Sequence, residues 1–261
     1  ISCSLVGSEM CIRDRYITLF HWEFPQALQE KGGWLNEEVA DWFGEYAKVV
    51  AENFSDLCEY FITINEPQCV VGLGHLSGVH APGLKLSIPE TFQIAHNLLK
   101  AHGQAVINLR KYAKQKIRIG FAPTGGVAYP YTDSAEDIEA ARKVYFGFYN
   151  PMDNWTWNIS WFSDPVFLGH YPKEGLEKFK EYLPEITEDT PYARIALVRV
   201  AEDSIGTGDR LYNTIRNIGY FRYHIYPKGF MLRVSSSNDR ESVRAVSYTH
   251  LRAHETAANL V

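Results

Sequence analysis

The sequence predicts an α/β fold, part of a (β/α)8 barrel, on three observations. Short apolar runs begin at Tyr16, Tyr60 and Ile117. A stretch with apolar residues at helical, 3.6-residue spacing follows each run. The first two runs also pass directly into polar side chains, with no turn residue between. Strand and helix in alternation make a parallel sheet covered by helices. The carboxyl ends of such strands are where barrel sites are assembled.

Tyr16-Ile17-Thr18-Leu19-Phe20 is apolar and partly β-branched, as a buried strand requires. A turn at Pro25 and the pair Gly32-Gly33 follow, and Asn36 stands as a helix N-cap with Glu37 and Glu38 behind it. Val39, Trp42, Phe43, Tyr46, Val49 and Val50 form the expected inner stripe of that helix. Tyr60 to Ile64 is the second strand. Ser87-Ile88-Pro89-Glu90 has the capping-box pattern with proline in the first turn. It opens a long helix with Phe92, Ala95, Leu98, Leu99, Ala105, Val106, Leu109 and Tyr112 inward. Ile117 to Ala122 is the third strand. Ser134 and Asp137 start a further helix, with Ile138, Ala141, Val144, Tyr145 and Phe148 turned inward.

These units are widely spaced, at roughly fifty residues each, whereas a barrel of about 250 residues uses roughly thirty. Eight units at this pace need on the order of 400 residues. The 261 residues are therefore expected to be a truncated copy holding only part of a barrel. After about Thr187 the periodicity degrades, which suggests a frameshift or splice, or a long barrel loop. Residues 1–15 and 235–261 look foreign to the rest, like read-through from a fragmentary assembly, and are set apart from a 16–234 barrel domain.

Composition narrows the function classes. The formal net charge is −5 with no basic block, so a nucleic-acid partner is not expected. No run approaches the roughly 20 apolar residues of a membrane span. Cys3, Cys11, Cys58 and Cys69 form no Cys-x-x-Cys pair or His/Cys cluster. Neither a metal site nor a disulfide framework is expected, and reduced thiols suit a cytoplasmic, bacterial protein. No cofactor motif appears: Gly72-Leu73-Gly74 lacks dinucleotide-loop spacing and reads as a glycine-rich loop. His96 and His102, six apart, do not share a helix face as a metal pair would. The Asn-x-Ser/Thr triplets at Asn53, Asn154 and Asn158 are taken as chance matches. The six Trp, sixteen Tyr and fourteen Phe suit a sugar cleft or a large core equally well.

Chemistry concentrates where the strands end. The first gives His21 and Trp22, the second Asn65, Glu66 and Pro67. Further blocks are Thr18-Leu19-Phe20-His21-Trp22, Gly32-Gly33-Trp34, Gly78-Val79-His80-Ala81-Pro82-Gly83 and Trp161-Phe162-Ser163-Asp164-Pro165. In these ordered blocks the chain resembles glycoside hydrolase family 1, the β-glucosidase family, most clearly over about residues 16–186.

The resemblance implies strands three to five of the barrel with their helices, and a retaining β-glycosidase acting on β-linked glucosides or oligosaccharides. It implies that Glu66 is the catalytic acid/base, that Asn65 bonds the sugar 2-hydroxyl, and that His21 and Trp22 bind hydroxyls of the same ring. Cys69, Trp155, Trp157 and Trp161 are expected on the aglycone side or in the core. A retaining enzyme needs a second carboxylate as nucleophile. In the family that residue sits in a Glu-Asn-Gly segment, and the sequence contains none. Ile225 to Phe230 resembles the segment preceding it. The chain is therefore expected to be inactive as it stands. The alternatives are an inactive carbohydrate-binding or structural remnant and a cellulase-like barrel glycosidase.

Overall fold

The structure, a computed structural model, describes residues 16–124, 127–148 and 152–183, with the backbone of 231–234 and 244–246. The expectations for residues 1–15, for the stretch after Thr187 and for Ile225 to Phe230 fall outside these residues, as does most of the 235–261 tail. Strands β1 (Tyr16–Phe20), β2 (Tyr60–Asn65) and β3 (Arg118–Ala122) form a parallel sheet in that order. Tyr16 lies opposite Tyr60, and Tyr60 opposite Arg118. Each crossover carries a helix, as parallel strands require. The sheet is not closed into a barrel among the described residues.

The helices are α1 (Gln26–Gln29), α2 (Val39–Phe54), α3 (Pro67–Cys69), α4 (Ile88–Tyr112), α5 (Ala135–Phe146), α6 (Ile159–Leu168) and α7 (Lys173–Phe179). Helix α2 starts two residues later than the N-cap pattern suggests. Asn36 makes a turn ahead of the helix: its Oδ1 accepts from the Glu38 N–H at 2.8 Å, and its Nδ2 donates to the Lys31 carbonyl at 2.8 Å. Asp41, not Glu37, is then the acid of the first turn. The inner stripe of α2 also differs from expectation, since Tyr46 and Val49 are exposed. The buried face instead runs through Val39, Ala40, Phe43, Gly44, Ala47, Val50 and Ala51. Small residues let α2 approach α4 closely: a Cβ on Gly44 would stand 2.9 Å from Gln104 and Asn108 side-chain atoms.

The capping box at α4 is present, with the Glu90 carboxylate accepting from both the N–H and the hydroxyl of Ser87. The expected stripe of α4 is buried from Phe92 to Leu109, with Tyr112 at its margin. Ser134 caps α5 by accepting from the Asp137 N–H at 3.2 Å. Val144, expected inward on α5, is exposed, and Ala141 and Phe146 are the buried apolar residues of the helix. Phe92, Trp155, Trp161 and Phe179 form an aromatic cluster, with Phe92 stacked on Trp155 at 3.8 Å. Trp155 and Trp161 are thus core residues.

A second sheet was not foreseen. Strand β4 (Val127–Pro130) pairs parallel to β5 (Met231–Val234), which pairs antiparallel to β6 (Arg244–Val246). Runs of three or four residues, one ending in proline, carry too little periodicity to announce strands. β6 falls inside the tail set apart as foreign.

Candidate active site

The carboxyl ends of β1 and β2 are neighbours, because Phe20 lies opposite Ile64 in the register. Immediately beyond them the backbone turns in an unusual way. Trp22 has φ 85° and Glu66 φ 46°, the two non-glycine residues with positive φ among the described residues. For a residue with a Cβ this conformation costs about 1–2 kcal/mol. Such strain persists only where the surroundings over-determine it, and it clusters at functional sites.

Several bonds hold the two corners. The Glu66 N–H donates to the Ala122 carbonyl at 2.7 Å, so the third strand end fixes the second. The Glu66 carbonyl accepts from the Cys69 N–H at 2.9 Å, with Pro67 opening α3. The Trp22 indole N–H reaches across and donates to the Asn65 carbonyl at 3.1 Å. One corner is thereby tied to the other. His21 packs edge-on against Trp22 at 5.2 Å between ring centroids and is itself exposed. The structure thus brings His21, Trp22, Asn65 and Glu66 to one rim.

Beside that rim lies a cavity of about 130 Å³. Phe20, Trp22, Phe24 and Trp34 supply an aromatic wall, while Gln26, Gln29, His75 and His80 add polar groups and Cys69 closes one side. Such a mix of rings and a few polar groups suits a ligand with apolar faces and hydroxyls. His80 lies against Trp22 at 5.2 Å between centroids. His75 is buried, and its Nδ1 donates to the Val70 carbonyl at 2.8 Å. Burial pushes the His75 pKa down and so favours a neutral ring, against the opposing effect of that carbonyl.

The segment read from the sequence as a glycine-rich loop is helical. Val70–Leu76 forms a π-helix continuing α3. Its glycines serve packing: a Cβ on Gly72 would lie 2.6 Å from the Thr156 Oγ1, and one on Gly74 would lie 2.8 Å from the Ala81 carbonyl oxygen. The second contact brings the 78–83 turn over the cavity, with His80, Ala81 and Pro82 in its wall. The roles of Gln26, Gln29, His75 and His80 were not visible in the sequence. His80 sits in one of the motif blocks, and that is its only signal there.

Beneath the rim, Thr63 and His102 make a buried pair, with Oγ1 and Nδ1 2.7 Å apart. Burial, then the Arg110 charge, pushes the His102 pKa down to about 3, so the ring is neutral. His96 and His102 each serve a separate contact, since His96 Nδ1 lies 2.9 Å from the Tyr171 hydroxyl. No group of three or more metal-ligating side chains occurs among the described residues. Cys58 and Cys69 are buried thiols, neither of them in a disulfide. No helix among the described residues is long and apolar enough to cross a membrane.

Known proteins resemble this chain in sequence and in fold. The model of glycosyl hydrolase family 1 matches residues 10–209. That match starts inside the first fifteen residues and runs past the point where periodicity degrades. Beta-glucosidase A of Thermotoga maritima is 43% identical over 174 residues, covering 67% of this chain and 36% of that protein. The 1,4-beta-D-glucan glucohydrolase of Thermotoga neapolitana is 43% identical over 174 residues, covering 67% of this chain and 38% of that protein. A solved structure of the Thermotoga maritima beta-glucosidase in complex with glucoimidazole superposes with a TM-score of 0.60 at 30% identity. It covers 94% of this chain and 49% of that one. The chain spans less than half the length of each of these relatives.

Proposed function

The chain belongs to glycosyl hydrolase family 1, and on that premise we propose that it is the acid/base-bearing part of a retaining β-glycosidase of β-glucosidase type. Strands β1, β2 and β3 then correspond to the third, fourth and fifth strands of an eightfold barrel. The observation that carries the reading is the pair of left-handed corners at Trp22 and Glu66, joined by the indole bond to Asn65.

In this reading Glu66 protonates the glycosidic oxygen as the bond breaks. It then takes a proton from the water that releases the sugar. Asn65 holds the 2-hydroxyl, a contact that strengthens as positive charge develops at the sugar ring. His21 and Trp22, on the neighbouring strand end, hold other hydroxyls of that ring, the Trp22 indole N–H turning from the Asn65 carbonyl to the sugar when substrate binds. The names of the relatives support a gluco-configured, β-linked substrate. Double displacement also needs a nucleophilic carboxylate about 5–5.5 Å from the acid/base. The 261 residues contain no Glu-Asn-Gly to supply it. This polypeptide alone is therefore read as inactive. Two buried thiols outside any disulfide, and bacterial relatives, support a cytoplasmic bacterial setting.

A graft tests the reading. Residues 16–183 would replace the matching segment of the Thermotoga maritima beta-glucosidase. The graft should hydrolyse an aryl β-glucoside, and Glu66→Gln should cost about 10²–10⁴-fold with a poor leaving group. A graft indifferent to that substitution would sink the assignment of Glu66. Turnover by the ungrafted 261-residue chain, lost in Glu66→Gln, would overturn the inactivity.

A further inference from the structure

We propose that Cys69 is a positioning residue for Glu66, its thiol donating to one carboxylate oxygen so that the other is left to face the substrate. The inference rests on the reading of Glu66 as acid/base and goes beyond it. The Cys69 Sγ lies 3.6 Å from Glu66 Oε2. Among the described residues this is the carboxylate's one hydrogen bond. The geometry follows from the corner. Pro67 starts a helical turn directly after Glu66, and three residues on, Cys69 stands on the same side of that turn, its N–H already bonded to the Glu66 carbonyl at 2.9 Å.

The left-handed backbone fixes where the Glu66 side chain departs but not how its carboxyl group is turned. A donor on one oxygen supplies that second constraint. A cationic donor would hold the group as carboxylate and oppose its service as an acid. A thiol donates weakly and carries no charge. Cys69 is buried at 8% exposure and forms part of the cavity wall. Burial, and then the Glu66 charge and hydrogen bond, push its pKa up to about 12. It therefore remains a protonated donor and does not become a second anion at the site.

The test uses the full chain. The S–H stretching band of Cys69 would be isolated by Raman difference spectroscopy of the parent against Cys69→Ser. It should move to higher frequency in both Glu66→Gln and Glu66→Ala, because a carboxylate is the stronger acceptor. In a companion measurement, the ¹³C carboxyl resonance of Glu66, assigned by its loss in Glu66→Gln, should shift in Cys69→Ala and return towards its parent position in Cys69→Ser. Serine restores a donor at that place, so packing alone does not predict the recovery. An S–H band unmoved by either Glu66 variant, or a carboxyl shift that Cys69→Ser fails to recover, would overturn the proposal. Neither readout measures hydrolysis, so this failure is separate from failure of the graft.

Discussion

The two ends of the parallel sheet are built differently. At the amino end, Tyr16 packs at a tilt against Tyr60, 4.6 Å between ring centroids, and Arg118 lies over the Tyr60 ring while pairing with Glu59 at 3.0 Å. These are solvated contacts between side chains in ordinary strand geometry, with Tyr16 60% exposed. At the carboxyl end, two residues sit in left-handed backbone, an indole bonds a neighbouring strand's carbonyl, and a cavity opens alongside. One end spends interactions on surface cohesion, and the other uses them to hold strained backbone in place. The contrast shows where a sheet of this kind stores its precision: strain survives where three strand ends, a helix start and a turn all constrain it.

If the carboxyl half is the over-determined one, its buried anchors should govern how stability responds to pH. Thr63 lies three residues before Glu66 and is held by His102, whose pKa is pushed down to about 3. The unfolded ring takes up a proton near pH 6.5, while the folded ring stays neutral to about pH 3. Stability contributed by the neutral ring is thus full above about pH 6.5 and is lost as pH falls through that window. His96, pushed down to about 4 by burial and by Lys100, acts with the same sign. Urea unfolding should show a loss on the order of 1–2 kcal/mol per histidine between pH 7 and pH 5. His102→Gln should flatten that dependence. Equal pH slopes in parent and variant would mean that His102 is not the neutral anchor of this end.

A smaller effect isolates the strain itself. Glu66→Ala and Glu66→Gly both delete the carboxylate, but only glycine accepts φ 46° without a Cβ penalty. The glycine variant should be more stable than the alanine variant by up to about 1 kcal/mol, the left-handed penalty less glycine's extra unfolded-state entropy. The urea midpoints of the two variants give the difference directly. Alanine equal to or above glycine would remove the strain from the account of this corner.

Much of the frame was legible in the sequence because it rests on local pattern. The strand runs at Tyr16, Tyr60 and Ile117 and the caps at Ser87 and Ser134 depend on neighbouring residues alone. The helix faces were less legible. Tyr46 and Val49 have the right spacing for a core stripe, yet α4 takes the Gly44, Ala47 and Ala51 side, since only there can the two helices approach closely. Gly72 and Gly74 look like loop residues but give room to Thr156 and to the Ala81 carbonyl, partners distant in sequence. His21, Trp22, Asn65 and Glu66 could be nominated from strand-end position and motif. The left-handed corners and the indole tie could not, because they arise from the register of β1 against β2 and from the reach of β3 to the Glu66 N–H.

The smallest effect belongs at the amino end. Arg118 and Glu59 form a pair at 3.0 Å whose side chains are 70% and 44% exposed. Exposed pairs gain little, because water screens the charges and both side chains lose freedom. A double-mutant cycle on Arg118→Ala and Glu59→Ala should give a coupling of no more than about 0.5–1 kcal/mol, shrinking with added salt. The same cycle between Thr63→Val and His102→Gln should give a larger coupling that salt leaves nearly unchanged, since that pair is buried. The two couplings set against each other are the sharpest form of the comparison. A salt-insensitive amino-end pair as strong as the buried one would mean that the sheet is held alike at both ends, and that the strained corners owe nothing to their stronger anchors.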